Sequence, residues 1–178
     1  MNPPTRMRSD RRRTVGPGNP VALFLLKCLA YWTVALWLVA RLPWVEEWGV
    51  GLTLGTLQQV LGVLHQPVTR TGSALSTAGA SVEIVSDCSP HMPFLIFAAV
   101  VLAFPASWRQ RAIGLALGAV IIHTFNTVRI LTLIWILTWR RSWFEFAHVY
   151  LWQTGTILIV FATFALWITA LSRRPKPA

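Results

Sequence analysis

The stretch AIGLALGAVIIHTFNTVRILTLIWILTW, residues 112–139, decides the class of this protein. It is apolar over more than the roughly 20 residues that a helix needs to cross a bilayer. Its interior nevertheless carries His123, Asn126 and Arg129, and Thr132 continues the same face. An arginine inside a span costs roughly 2.5 kcal/mol or more and marks a functional position by default. We therefore expect a membrane helix whose polar face points into a helix bundle.

The composition of the whole chain agrees with a membrane protein. Of its 178 residues, 54% are hydrophobic and only 12% are charged, and 10 are tryptophan. The charged share is about half of that in soluble domains. The length suits one domain. We predict an all-α, polytopic integral membrane helix bundle with about four transmembrane helices and one interfacial amphipathic helix.

The four spans follow from apolar runs of sufficient length. We predict a single transmembrane domain over residues 20–172, with spans at about 20–41, 90–106, 112–139 and 149–171. Residues 42–65 have a helical apolar spacing at Val50, Leu54, Leu57, Leu61 and Leu64. Because Glu46, Glu47, Gln58 and Gln59 are costly at the bilayer centre, this helix is expected to lie in the outer interface or on the bundle. A second full span is the alternative.

The segments outside the spans are polar. Residues 66–87 are small and polar and predict a loop, with a short strand at 81–85. Residues 1–19 predict a disordered basic cytoplasmic tail, and residues 173–178 predict a second basic cytoplasmic tail. The formal charge of +10 reflects these flanks and predicts orientation, not nucleic-acid binding.

The flanking charges set the topology. With both termini inside, ten basic residues are cytoplasmic, namely Arg6, Arg8, Arg11, Arg12, Arg13, Arg109, Arg111, Arg173, Arg174 and Lys176. Lys and Arg resist translocation. Five of the six acids then lie outside, and so do Arg140 and Arg141. We predict a bacterial inner-membrane, multi-pass protein whose Cys88 faces the periplasm.

Three chemically active residues then fall in the outer half of the membrane. Cys88 begins the second span, Arg129 lies in the third, and His148 begins the fourth. A thiol attacks as thiolate, which neighbouring cations favour. A histidine can take the thiol proton and later protonate a leaving amine, and a guanidinium can hold an oxyanion. Such a pocket has the chemistry of a transpeptidase, although Arg129 could instead be a buried helix clamp.

Other chemistries have less support in the sequence. Cys28 and Cys88 are not in a CxxC pair, so no zinc or redox signature and no cofactor are predicted. A disulfide between them is not expected, because Cys28 lies at membrane depth. A haem or metal site would have to use His91, His123 and His148, but their spacing fits no metal motif.

The order of these residues resembles that of the exosortase/archaeosortase family. The likeness lies in a cysteine that opens a span, then NTVRI in the next, then a histidine that opens another, over roughly residues 80–170. The N-x-x-R-I element at 126–130 is its most specific part. Many members have a glycine two residues after the cysteine, where this chain has Pro90. Proline can begin a helix at its first turn.

The resemblance implies a membrane cysteine peptidase/transpeptidase with Cys88, Arg129 and His148 as catalytic residues. We assign Asn126 to orienting Arg129. The implied partners are secreted substrate proteins with a C-terminal hydrophobic helix and a basic tail, the lipid bilayer and an acceptor of unknown identity at the outer face. The alternative is a non-catalytic membrane assembly factor or transporter subunit.

Overall fold

A computed structural model describes residues 19–172, so both predicted tails lie essentially outside it. The described chain is a helical bundle with a small sheet, which confirms the predicted all-α membrane fold. We number its helices α1 Pro20–Arg41, α2 Pro43–Val63, α3 His91–Ala103, α4 Trp108–Trp139 and α5 Arg141–Ser172. The strands are β1 Val68–Thr71, β2 Ala74–Thr77 and β3 Ser81–Glu83.

Among the described residues, three helices are long and apolar enough to cross a membrane, namely α1, α4 and α5. Helix α3 has only 13 residues and is shorter than the predicted span 90–106. It ends at Ala103 because Pro105 disfavours helical backbone at Phe104, whose ψ of 139° is extended. The lengths therefore give three full candidate spans and one shorter apolar helix.

Two helices begin earlier than the apolar pattern predicts. Helix α4 begins at Trp108 because Ser107 and Gln110 form a capping box. The basic segment SWRQR, residues 107–111, therefore contains the N-cap and the first turn of this helix. The polar connection RRSWFEFAH is helical as well, since α5 begins at Arg141 and not at 149. It contains a 3₁₀ turn at Arg141–Trp143 and a π-helical turn at Ala147–Leu151 before the regular helix resumes.

Helix α2 buries the stripe that the sequence predicts. Leu54, Leu57 and Leu61 are buried and pack with Ile130 and Ile134 of α4. Leu64 is exposed because it lies just past the end of the helix. The apolar face of α2 is therefore packed on the bundle, the second of the two predicted positions, and α2 is not among the three candidate spans.

Residues 66–87 form a three-stranded antiparallel meander in the order β1-β2-β3, with Val68 opposite Thr77 and Ala74 opposite Glu83. The sequence predicted only a strand near β3. The other two strands are short and polar, and Leu75 is their one fully buried side chain, packed into the α2–α4 cluster. Contacts of Leu75, with partly buried Val68 and Val82, thus attach to the bundle a sheet that local propensity does not predict.

A second apolar cluster closes the other end of the bundle. Phe97, Val101, Ile122 and Trp167 are buried together from α3, α4 and α5. Glycines make this packing possible: a Cβ at Gly114 would lie 2.5 Å from Nε1 of Trp167, and a Cβ at Gly118 would overlap the Phe97 ring. The GxxxG pair therefore packs within the chain, against two different helices.

Contacts along the helices define two opposite ends of the bundle. At one end the rings of Phe24 and Phe104 lie 6.4 Å apart, and Arg111 donates to the Phe104 carbonyl at 3.0 Å. Trp167 Nε1 donates to the Gln110 carbonyl at the same end. Since α3 runs antiparallel to α1 and α4, the start of α3 lies at the opposite end, which the predicted topology makes the outer one.

Candidate active site

Cys88 ends a 3₁₀ turn, Ser86–Cys88, and two residues separate it from the start of α3 at His91. The turn is closed by hydrogen bonds from Cys88 N to Val85 O at 2.9 Å and from Ser89 N to Ser86 O at 3.0 Å. Pro90 occupies the N-cap position of α3, directly before its first helical residue, His91. Cys88 is half-buried beside the α2–α4 cluster, and both cysteines are free thiols.

Asn126 connects α4 to this turn. Its Nδ2 donates a hydrogen bond to the Cys88 carbonyl at 2.8 Å, and the side chain is buried. The sequence predicted that Asn126 would orient Arg129. The structure instead gives its amide to the backbone of the candidate nucleophile, so Asn126 supports Cys88 directly.

Arg129 lies one turn after Asn126 on α4 and is half-buried. Its Nε is buried and has no hydrogen-bond partner among residues 19–172. Burying such a donor without a partner is costly. Arg129 therefore has an N–H that no described residue uses, as has Arg111 at the opposite end of the bundle.

His148 lies in the π-helical turn Ala147–Leu151. A π turn adds one residue to the helical repeat, changes the direction of the side chains that follow, and is frequent at functional sites. The imidazole is half-buried, and its ring lies 5.5 Å from the Phe144 ring in a tilted arrangement. The irregular start of α5 therefore sets the position of His148 on the helix surface.

Arg129 and His148 line one cavity of about 610 Å³ between α3, α4 and α5. Its walls also include Asp87, Met92, Ile96 and Phe161. The Cys88 side chain is not part of this lining, but the cavity reaches Asp87, the residue directly before it. The structure thus brings Arg129 and His148 to one cavity, with the Cys88 turn at its wall.

Asp87 is a polar residue of this cavity that reasoning from the sequence did not select. Its carboxylate is exposed and shares the cavity with an arginine and a histidine. The available signal was its position immediately before the candidate thiol. A carboxylate there can hold a cationic group of a ligand or interact with the imidazole.

The remaining histidines of the spans have local partners. His91 Nδ1 hydrogen-bonds with Ser89 Oγ, and His123 Nε2 lies 3.0 Å from Thr56 Oγ1 of α2. Within residues 19–172, no group of three or more His, Cys, Asp and Glu side chains can hold a metal ion. His123 thus joins α4 to α2, while the bond of His91 is local, to the residue two positions earlier.

Comparison of the sequence with known proteins matches it to one family. A family profile described as "Transmembrane exosortase" matches residues 17–168. The match covers most of the chain, including the sheet and every candidate site residue. Neither the curated proteins nor the solved structures gave a significant match. The chain belongs to the transmembrane exosortase family.

Proposed function

We propose that this protein is a membrane-embedded cysteine transpeptidase that cleaves C-terminal sorting signals of secreted proteins and transfers the proteins to an acceptor at the outer face. One observation carries the proposal. Arg129 and His148, from two different helices, line one cavity whose wall includes the residue before Cys88. Membership of the exosortase family supports a membrane transpeptidase in general.

In the first proposed step, the Cys88 thiolate attacks the carbonyl carbon of the scissile peptide. A C–S bond forms, the C–N bond breaks, and His148 passes the thiol proton to the leaving amine. The C-terminal helix and basic tail leave as the amine product. In the second step an amine or hydroxyl of the acceptor attacks the thioester carbonyl, a C–N or C–O bond forms, and the C–S bond breaks. His148 takes the proton of the acceptor group, and the Cys88 thiolate is released again.

Arg129 is proposed to hold the oxyanion of the tetrahedral intermediate or the substrate backbone. The position of Arg129 in the wall of the cavity that also contains His148 supports this role. A fixed cation beside the reacting carbonyl stabilises developing negative charge without reorganising at the moment of reaction. The planar fork of arginine also fits a carbonyl or carboxylate better than a lysine does.

The shape of the cavity supports a substrate segment that runs along the bundle. On α5 the lining extends from His148 to Phe161, which is about 20 Å at 1.5 Å per residue. On the C-terminal side of His148 the part of this wall that α5 forms is mainly apolar, with Ile157 and Val160. A hydrophobic helix of a sorting signal would lie there with its preceding residues at Arg129 and His148.

We further propose a location in the bacterial inner membrane with the cavity open toward the periplasm. The basic flanks of the predicted spans support this orientation. Cys88 lies near the start of α3 and is bonded to Asn126 in the middle of α4, away from the end of the bundle that holds Arg111 and Gln110. Under the predicted topology the end that holds Arg111 and Gln110 is the inner one.

The alternative is a non-catalytic assembly factor or transporter subunit. One observation favours it: the Cys88 side chain packs beside an apolar cluster and is not part of the cavity lining. The two functions differ in one measurable property. A catalytic Cys88 must react with electrophiles that reach the outer face, whereas an inert structural cysteine reacts slowly.

The test compares a deletion strain complemented with the wild-type chain and with Cys88→Ser. The C-terminal peptides of secreted proteins that carry a hydrophobic helix and a basic tail are identified by mass spectrometry. We expect loss of the tail only with the wild-type chain. Intact tails in both strains, or removal at the same rate in both, would reject the proposed function.

A further inference from the structure

Both backbone polar groups of Cys88, its N–H and its carbonyl, are hydrogen-bonded. The Cys88 N–H donates to Val85 O at 2.9 Å, and the Cys88 carbonyl accepts from Asn126 Nδ2 at 2.8 Å. The next N–H, that of Ser89, donates to Ser86 O. The peptide groups around the candidate nucleophile therefore have no freedom to rotate without breaking a hydrogen bond.

The side chain of Ser89 makes further contacts in the same segment. Ser89 is only 2% exposed, and its hydroxyl hydrogen-bonds with His91 Nδ1. Both groups face Gly49 of α2. A Cβ at position 49 would lie 3.0 Å from Ser89 Oγ and 3.7 Å from His91 Nδ1, so glycine lets the α2 backbone pack directly on them.

We infer that Gly49 and Ser89 are positioning residues for the nucleophile. Helix α2 rests against the residue after Cys88 through Gly49, while Asn126 of α4 holds the Cys88 carbonyl. Between them the two helices fix the direction in which the thiol leaves the backbone, relative to Arg129 and His148. The inference rests on the proposed function in treating Cys88 as the nucleophile.

The expected size of the effect follows from the geometry. An alanine at position 49 requires Ser89 to move by a few tenths of an ångström, since ordinary contacts begin near 3.4 Å. A misplacement of about 1 Å in a reacting group can cost about 10² in rate. We therefore expect Gly49→Ala to lower the processing rate about tenfold, by scaling from that figure.

Gly51→Ala is the matched control. Gly51 lies on the same helix, and a Cβ there meets nothing within 4 Å. Both substitutions replace a helical glycine with the best helix former, so neither is expected to reduce the amount of folded protein through α2 itself. All variants carry Cys28→Ser, which leaves Cys88 as the one thiol in the chain.

Two rates are measured for each variant, both per folded molecule in detergent or proteoliposomes. One is processing of a substrate peptide, and the other is alkylation of Cys88 by a small maleimide, which needs no substrate. We expect Gly49→Ala to slow processing and to change the alkylation rate in either direction, because a displaced thiol changes its accessibility. We expect Gly51→Ala to change neither rate. Unchanged rates in Gly49→Ala, or equal losses in the two variants, would overturn the inference.

Ser89→Ala supplies the second arm, because it removes the hydroxyl oxygen that a new Cβ at position 49 would meet. We expect the double variant Gly49→Ala/Ser89→Ala to match Ser89→Ala alone, as contacting residues are not additive. If the losses of the two single variants add fully in the double variant, the contact between position 49 and Ser89 is not the cause of the effect. The alkylation rate also separates this inference from the proposed function. If Cys88→Ser still processes substrate, the proposed function is wrong. The alkylation rates of Gly49→Ala and Gly51→Ala then still show whether Gly49 positions the Cys88 side chain.

Discussion

Nδ2 of Asn126 lies 2.8 Å from the carbonyl oxygen of Cys88 and donates a hydrogen bond to it across 38 residues of sequence. This bond joins the middle of the longest helix to the turn that carries the candidate nucleophile. Together with the bonds from Cys88 N to Val85 O and from Ser89 N to Ser86 O, it holds the backbone of this turn, while the Cys88 side chain packs beside the α2–α4 cluster.

Asn126→Ala is expected to weaken the hold on Cys88 without removing any reacting group. Loss of one hydrogen bond typically costs about 1 kcal/mol, and the unpaired Cys88 carbonyl adds to that cost. We expect the processing rate per folded molecule to fall less than in Arg129→Lys. Thr132→Ala, which loses only a bond to its own helix at Val128 O, is the control. An effect as large as that of Arg129→Lys would assign Asn126 to the chemistry.

Cys88→Ser and Cys88→Ala are expected to abolish processing while the protein remains in the membrane. Serine keeps the shape of the side chain but is a much poorer nucleophile near neutral pH. Cys28→Ser should behave as wild type, because Cys28 lies within α1 and does not line the cavity of Arg129 and His148. Quantitative immunoblotting of membranes beside the processing assay checks both statements. Processing by Cys88→Ser at the wild-type rate would show that the thiol is not the nucleophile.

Arg129→Lys is expected to insert and fold normally but to lose at least about 10²-fold in rate, the usual cost of one oxyanion donor. Lysine keeps the charge but loses the planar fork. Because Arg129 Nε has no partner among residues 19–172, the substitution should change the thermal unfolding temperature little. If the unfolding temperature falls while specific activity stays near normal, Arg129 is a structural clamp, and the site reduces to Cys88 and His148.

The topology predicts the behaviour of two reporter fusions. A fusion after residue 70, in β1, should read periplasmic, and a fusion after residue 110, at the start of α4, should read cytoplasmic. The basic residues Arg109 and Arg111 at the inner turn provide the physical reason. Paired alkaline phosphatase and green fluorescent protein fusions at each position measure on which side of the membrane that position lies. The reverse pattern would put Cys88 in the cytoplasm and end the proposal of an outer site.

Gly118→Ala should destabilise the bundle, because the new Cβ would overlap the Phe97 ring. Overpacking of this kind typically costs about 1–3 kcal/mol. Thermal unfolding in detergent measures the loss, and Phe97→Leu in the same chain should recover part of it. Gly62→Ala is the control, since a Cβ there meets nothing within 4 Å. Equal unfolding temperatures for Gly118→Ala and wild type would contradict the packing.

The fold class and the positions of the long helices follow from the amino-acid sequence alone. A run of about 20 apolar residues has one favourable environment, the bilayer, and a helix satisfies its backbone there. Helix α1 therefore matches its predicted bounds, 20–41. The same local logic predicts the helical stripe of α2, because burial on one face follows a 3.6-residue period wherever the partner lies.

Which groups meet depends instead on the tertiary arrangement. The bond from Asn126 to Cys88 O, the placement of α2 on the bundle, the polar meander held by Leu75, and the π turn at His148 all depend on how helices far apart in sequence are aligned. A local pattern fixes which face of a helix is polar. It does not fix how far one helix is shifted along its axis relative to another. An axial shift of one residue, about 1.5 Å, changes every hydrogen bond between the two helices.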